Sequence, residues 1–136
     1  MKNVHSRDLG INLKSGKENE LFKWFLACLL FGKPIQQEVA KRTYYEFINA
    51  GLTSPKAILK AGWNKLVKVL DIGHYVRYDF STATKLLEIC ELLINKYGSV
   101  TKLLKEKNLS EKLQEFRGIG PVTARIFLRD IKLYKK

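Results

Sequence analysis

The segment Leu113-Gln114-Glu115-Phe116-Arg117-Gly118-Ile119-Gly120-Pro121-Val122-Thr123-Ala124-Arg125-Ile126-Phe127-Leu128 holds two helical patterns joined by a tight Gly-Ile-Gly turn. Glycine permits positive φ and lets another backbone approach closely, and Pro121 suits the first helical position, where its missing amide costs nothing. The remaining first-turn amides, from Gly120 and from Val122 to Ala124, are left to face an anion, and a phosphate oxygen matches them. Beyond the turn, Ala124, Phe127, Leu128 and Ile131 form an apolar stripe. Arg125, Arg129, Lys132 and Lys136 recur on a different stripe at spacings of four, three and four. A glycine turn, a helix N-terminus and a basic row therefore coincide.

The rest of the chain agrees with a basic, helical protein. Its 136 residues suffice for one core, and 46% hydrophobic with 11% aromatic content excludes an intrinsically disordered chain. Twenty-five Lys and Arg against 13 Asp and Glu give a formal charge of +12, so a polyanion is the natural partner. Basic and acidic residues number 8 and 5 in residues 1–50, 7 and 4 in 51–100, and 10 and 4 in 101–136, so half of the excess accompanies the hairpin. Cys28 and Cys90 sit in apolar helical stretches, which argues against a disulfide framework or a four-thiolate metal site and fits a reducing cytoplasm. The N-terminal residues lack the apolar run of a secretory signal, and Leu21 to Phe31 is short for a membrane span and contains Lys23. A cytoplasmic location, on the nucleoid in a prokaryote, is therefore expected.

Helical punctuation runs along the chain. Residues 1–15 show no period and read as a loosely ordered N-terminal arm or short docking segment, leaving 16–136 as a single helical domain. Leu21 to Phe31 is apolar on every side, as in a helix surrounded by others, with Gly32 as its stop. Pro34 opens a second helix, Ile35 to Ala50, closed by Gly51. Ser54-Pro55 caps and starts a short helix ending near Gly62, followed by Asn64 to Asp71. Asp79 or Ser81 caps a long helix closed by Gly98. Val100 to Lys105 and Ser110 to Phe116 are short helices, and the last begins at Pro121. No alternating stretch competes for a strand. The fold class is all-α, and Trp24 and Trp63 read as core residues.

Residues 113–128 resemble the helix-hairpin-helix of the endonuclease III-like family of base-excision DNA glycosylases. Upstream, the helix Leu21 to Phe31, the Ile72-Gly73-His74-Tyr75 turn and the helix from Ser81 to Tyr97 are similar in order and approximate spacing to that family's helical barrel. The segments from Tyr75 to Ala83 and from Gly118 to Thr123 look like an uncharacterised endonuclease III-related branch. The resemblance covers most of residues 18–131. It implies a compact multi-helix domain with the helix-hairpin-helix at about 110–134, acting on double-stranded DNA, damaged DNA included.

Residue by residue, the resemblance implies that the amides of Gly118, Gly120, Val122 and Thr123 hold a DNA phosphate, and the basic row read from the spacing adds Arg125 and Arg129 to that phosphate-binding set. It implies a monovalent cation on the backbone carbonyls of Gln114, Phe116 and Ile119, donors that suit a weakly held hard ion. Bifunctional members carry a Schiff-base lysine two residues after the second hairpin glycine. That position is Val122, which forms no imine. The family's aspartate falls roughly eighteen residues further on, near 140 and past the last residue given, and Asp130 does not match it. The cysteine cluster of the iron–sulfur members is absent, so no such cluster is expected. The glutamine that the family inserts at a flipped base aligns with Lys33, while Gln36 and Gln37 read as first-turn residues.

Tyr75 and Arg77, in an aromatic and basic turn with His74 and Tyr78, are further candidates for DNA contact. Asp79 reads first as a helix-capping residue. Neither histidine has metal-ligand neighbours in sequence. The functions to separate are a DNA-binding repair protein working without a lyase lysine, a non-catalytic DNA-binding module, and a helical scaffold for protein contact. A protein partner supplying the missing catalytic groups belongs with the first.

Overall fold

The computed structural model describes residues 4–134. Seven α-helices follow one another: α1 (Glu18–Phe31), α2 (Gln37–Asn49), α3 (Pro55–Ile72), α4 (Asp79–Leu92), α5 (Val100–Leu103), α6 (Leu109–Gln114) and α7 (Pro121–Tyr134), and no strand occurs among the described residues. The all-α reading holds. No helix among these residues is long and apolar enough to cross a membrane.

Helix α1 is the axis of the core. Trp24, Phe25, Leu26, Ala27, Cys28 and Leu30 are all essentially inaccessible, as a stretch apolar on every side requires. Helices α2, α5 and α7 pack against it. Burying a side chain the size of Phe25 stabilises the fold by about 2–3 kcal/mol. Glu18, at the first position of α1, caps α5 from outside: its carboxylate accepts the amides of Val100 at 2.9 Å and Thr101 at 2.8 Å.

Several helix limits follow from identifiable caps. Ser54 accepts the Ala57 amide at 3.1 Å, with Pro55 at the first helical position. Gly62, at φ 80° and ψ 169°, breaks α3 in two where the sequence places a boundary. Helix α2 opens at Gln37 with Gln36 as its cap, later than Pro34 suggests. The long fourth helix leaves α geometry at Leu92 and continues as a wider π turn, Leu93–Tyr97, before Gly98 reverses the chain at φ 95°. Ser110 does not open α6. Asn108 does, in the left-handed conformation at φ 57°, to which asparagine is well suited.

Two expectations need correction. Residues 4–15 are not a loose arm: they form 3₁₀ turns at Ser6–Leu9 and Leu13–Ser15, and Val4, Leu9, Ile11 and Leu13 join the core. The cause is Asp130, fully buried on α7, whose carboxylate accepts the Ser6 amide at 2.7 Å, while Arg129 donates to the Val4 carbonyl at 2.7 Å. Trp63 is not a core residue either. It is 38% exposed, donates to Thr84 Oγ1 at 3.0 Å and leans on Phe80, with ring centroids 5.2 Å apart.

Candidate nucleic-acid interface

Helices α6 and α7 flank the glycine turn, and α1 fixes both. The Phe25 ring meets Phe116, before the turn, edge-on at 5.9 Å and Phe127, after it, edge-on at 5.5 Å. Trp24 Nε1 donates to the Phe127 carbonyl at 3.2 Å. Inside the turn, Ile119 is buried and its amide bonds the Phe116 carbonyl at 3.0 Å. Gly118 adopts φ 102°, which a residue with a Cβ rarely reaches. Gly118 and Gly120 are exposed on either side of it.

This anchoring presents the N-terminus of α7 outward. Pro121 starts the helix, Val122 is 53% exposed and Thr123 is half-buried. The Ala124 amide is not available to an anion, because it bonds the Gly120 carbonyl at 3.0 Å as the first hydrogen bond of the helix. The first-turn donors are therefore Val122 and Thr123, followed by the exposed side chain of Arg125 one turn on.

The basic row is shorter than the sequence suggests. Arg125 and Lys132 are exposed, whereas Arg129 turns inward, with Nε donating to Asp130 at 2.7 Å and the guanidinium reaching the Val4 carbonyl. Arg129 is a structural residue and leaves the phosphate-binding set. Lys136 lies outside the described residues. Burial pushes the Asp130 carboxyl up, but the Ser6 amide and Arg129 outweigh it and hold the group below the usual carboxylate range.

Tyr75 also leaves the set. It is fully buried and its hydroxyl donates to the Leu30 carbonyl, closing the end of α1 onto the turn before α4. The half-buried ring here is Tyr78, with the Lys33 ammonium 5.5 Å and the Arg77 guanidinium 5.3 Å from its centroid. Arg77 is exposed beside it. Lys33 shares a small cleft with Lys85 of α4, a residue the sequence did not single out because nothing local marks it. That neighbour and partial burial hold Lys33 down to about 8.

The three carbonyls considered for a cation fall in and before the turn. That of Phe116 already accepts an amide, leaving it one lone pair for an ion. No group of three or more His, Cys, Asp or Glu gathers to hold a metal among the described residues. Both cysteines are buried thiols, with Cys90 pushed up to about 12 by burial, so neither is a ready nucleophile.

Where the end of α1 meets the start of α7, Cys28, Phe31, Gly32, Val122, Thr123 and Ile126 line a cleft of about 110 Å³. Gly32 and Thr123 approach so closely there that a Cβ on Gly32 would stand 2.9 Å from the Thr123 hydroxyl. Val122 contributes no amine to this cleft, and Asp130 is engaged elsewhere. Set against known proteins, the chain matches no family model, no curated protein and no solved structure.

Proposed function

We propose that this protein binds double-stranded DNA by its phosphate backbone, through the turn Gly118-Ile119-Gly120 and the start of α7, in the manner of an endonuclease III-like helix-hairpin-helix. One observation carries the reading: an exposed glycine turn delivers the Val122 and Thr123 amides and the Arg125 guanidinium to one end of a helix held rigidly from behind by Phe25. Amides at a helix N-terminus suit an oxyanion, and a net charge of +12 supplies long-range attraction. Backbone contacts of this kind position a protein on DNA without reading sequence.

At the start of α7 the geometry favours binding over base excision. The cleft beside Val122, at about 110 Å³, falls well short of the roughly 300 Å³ at which small-molecule sites begin, and no amine or ionised carboxylate lines it. The test is duplex binding at several salt concentrations for the wild type, Gly120→Glu and Arg125→Glu, with base release measured on a panel of lesion-bearing duplexes. Steep salt dependence, and weakening by both substitutions whatever the DNA sequence, are expected, without base release. Duplex affinity indifferent to both substitutions would return the chain to the class of protein scaffolds.

A further inference from the structure

Lys33 and Lys85 come from the loop after α1 and from α4, and both line one small cleft. Neither has a carboxylate partner among the described residues. The acid nearest in sequence to Lys85, Glu88 on the same helix, faces Arg117 at 3.9 Å instead. Arg77, 5.3 Å from the centroid of the Tyr78 ring that Lys33 also approaches, adds a third cation to the neighbourhood. Like charges held close together oppose each other's ionisation, and an anion shared between them removes that cost. The depressed titration of Lys33 agrees with a pair that is waiting for one.

The two lysines line a small cleft of about 20 Å³ together with Leu29, Leu86, Ile89, Gly118 and Thr82. Thr82 is 4% exposed, and its Oγ1 has no hydrogen-bond partner of good geometry. The Tyr75 phenol oxygen, whose own proton goes to the Leu30 carbonyl, lies beside it but outside good hydrogen-bond geometry. A buried hydroxyl with no well-formed hydrogen bond gains by meeting an entering oxygen. The volume admits about one oxygen atom. Gly118 keeps the wall open: a Cβ there would stand 3.1 Å from Lys85 Cδ.

We propose that Lys33, Lys85 and Thr82 form an oxyanion site for a phosphate group, one oxygen entering the cleft toward the Thr82 hydroxyl and the charged oxygens pairing with the two ammonium groups. Because Gly118 belongs both to this cleft and to the hairpin turn, the site lies next to the α7 amides. A phosphodiester of the bound duplex is the first source of the group, an assignment that rests on the DNA reading; free phosphate is the other. The oxyanion site itself does not depend on that reading.

The experiment follows the Lys33 side chain by NMR in the full chain, titrated with base alone, with inorganic phosphate and with a short duplex. Alone, Lys33 is expected to titrate below the usual lysine range, at about 8. Either anion source raises that value by about one unit, equivalent to tenfold tighter anion binding when Lys33 is charged. Lys85→Met raises the anion-free value and weakens phosphate binding about tenfold, and Thr82→Val, which keeps the shape, weakens phosphate binding with little effect on the anion-free value. A shift with phosphate but without any duplex binding upholds the site and removes the DNA reading. Duplex binding that responds to Gly120→Glu, with Lys33 unmoved by duplex or phosphate, overturns the site and leaves the DNA reading standing.

Discussion

The carboxylate of Asp130 accepts the amide of Ser6 at 2.7 Å, tying the N-terminal segment to the helix that follows the hairpin. Arg129 and His5 share the other carboxylate oxygen, at 2.7 and 3.2 Å. Charge-assisted hydrogen bonds of this kind contribute roughly 1.5–3 kcal/mol each, and their loss leaves a buried amide unpaired. Asp130→Ala should therefore cost about 3 kcal/mol in urea denaturation and expose residues 4–15 to proteolysis. A loss below about 0.5 kcal/mol, the range of an ordinary surface substitution, would show that the lock does not hold the segment.

Acid should undo the same lock. The folded-state pKa of Asp130 is lowered, so its contribution to stability is fully present above the unfolded value of about 3.9 and disappears as pH falls through the folded value. Wild-type protein should lose stability below about pH 4 faster than Asp130→Asn, so that the gap between them narrows toward acid. Chemical denaturation across a pH series checks the sign, and a gap that widens on acidification contradicts it.

Arg125 and Arg129 separate binding from folding on one helix. Arg125→Gln should leave the thermal midpoint within a degree or two and reduce the salt slope of duplex binding by about one. Arg129→Gln should lower the midpoint, because its bonds to Asp130 and Val4 are lost, and leave the salt slope nearly unchanged. Equal effects on the slope would return Arg129 to the phosphate-binding face.

Glycines should respond to alanine according to their surroundings. At Gly73, a Cβ would fall 2.2 Å from Thr43 Oγ1 and 2.7 Å from Thr43 Cα, so Gly73→Ala forces α2 aside and should cost about 3 kcal/mol. Gly118→Ala should cost about 1–2 kcal/mol for its φ of 102°. Gly120 has open space around its Cβ position and no positive φ, so Gly120→Ala should fall within about 0.5 kcal/mol of wild type. Thermal or urea unfolding of the three variants ranks them.

Local signals predicted well what local chemistry determines. The start of α7 at Pro121, the Ser54 cap and the break at Gly62 were legible because a single residue's backbone preference decides each. The N-terminal segment was not, because Val4, Leu9, Ile11 and Leu13 follow neither a helical nor a strand period and their partner Asp130 is more than a hundred residues away. Helical spacing alone placed Arg129 in the basic row, yet its guanidinium bends to a carbonyl that no periodicity reveals. Tyr75 and Tyr78 are alike in sequence, and only packing against Leu30 decides which ring is buried. Lys85 and Thr82 lacked any signal, since what distinguishes them is the arrival of Lys33 from another helix end.

Phe25 touches an aromatic ring on each side of the glycine turn, so the separation and tilt of the two hairpin arms are set before any ligand arrives. A duplex gripped there meets a rigid template, and the adjustment falls to the nucleic acid. If the chain binds DNA as proposed, duplexes whose steps kink readily, such as TA and CA/TG, should bind more tightly than stiff A-tracts, giving a preference among sequences without any contact to a base.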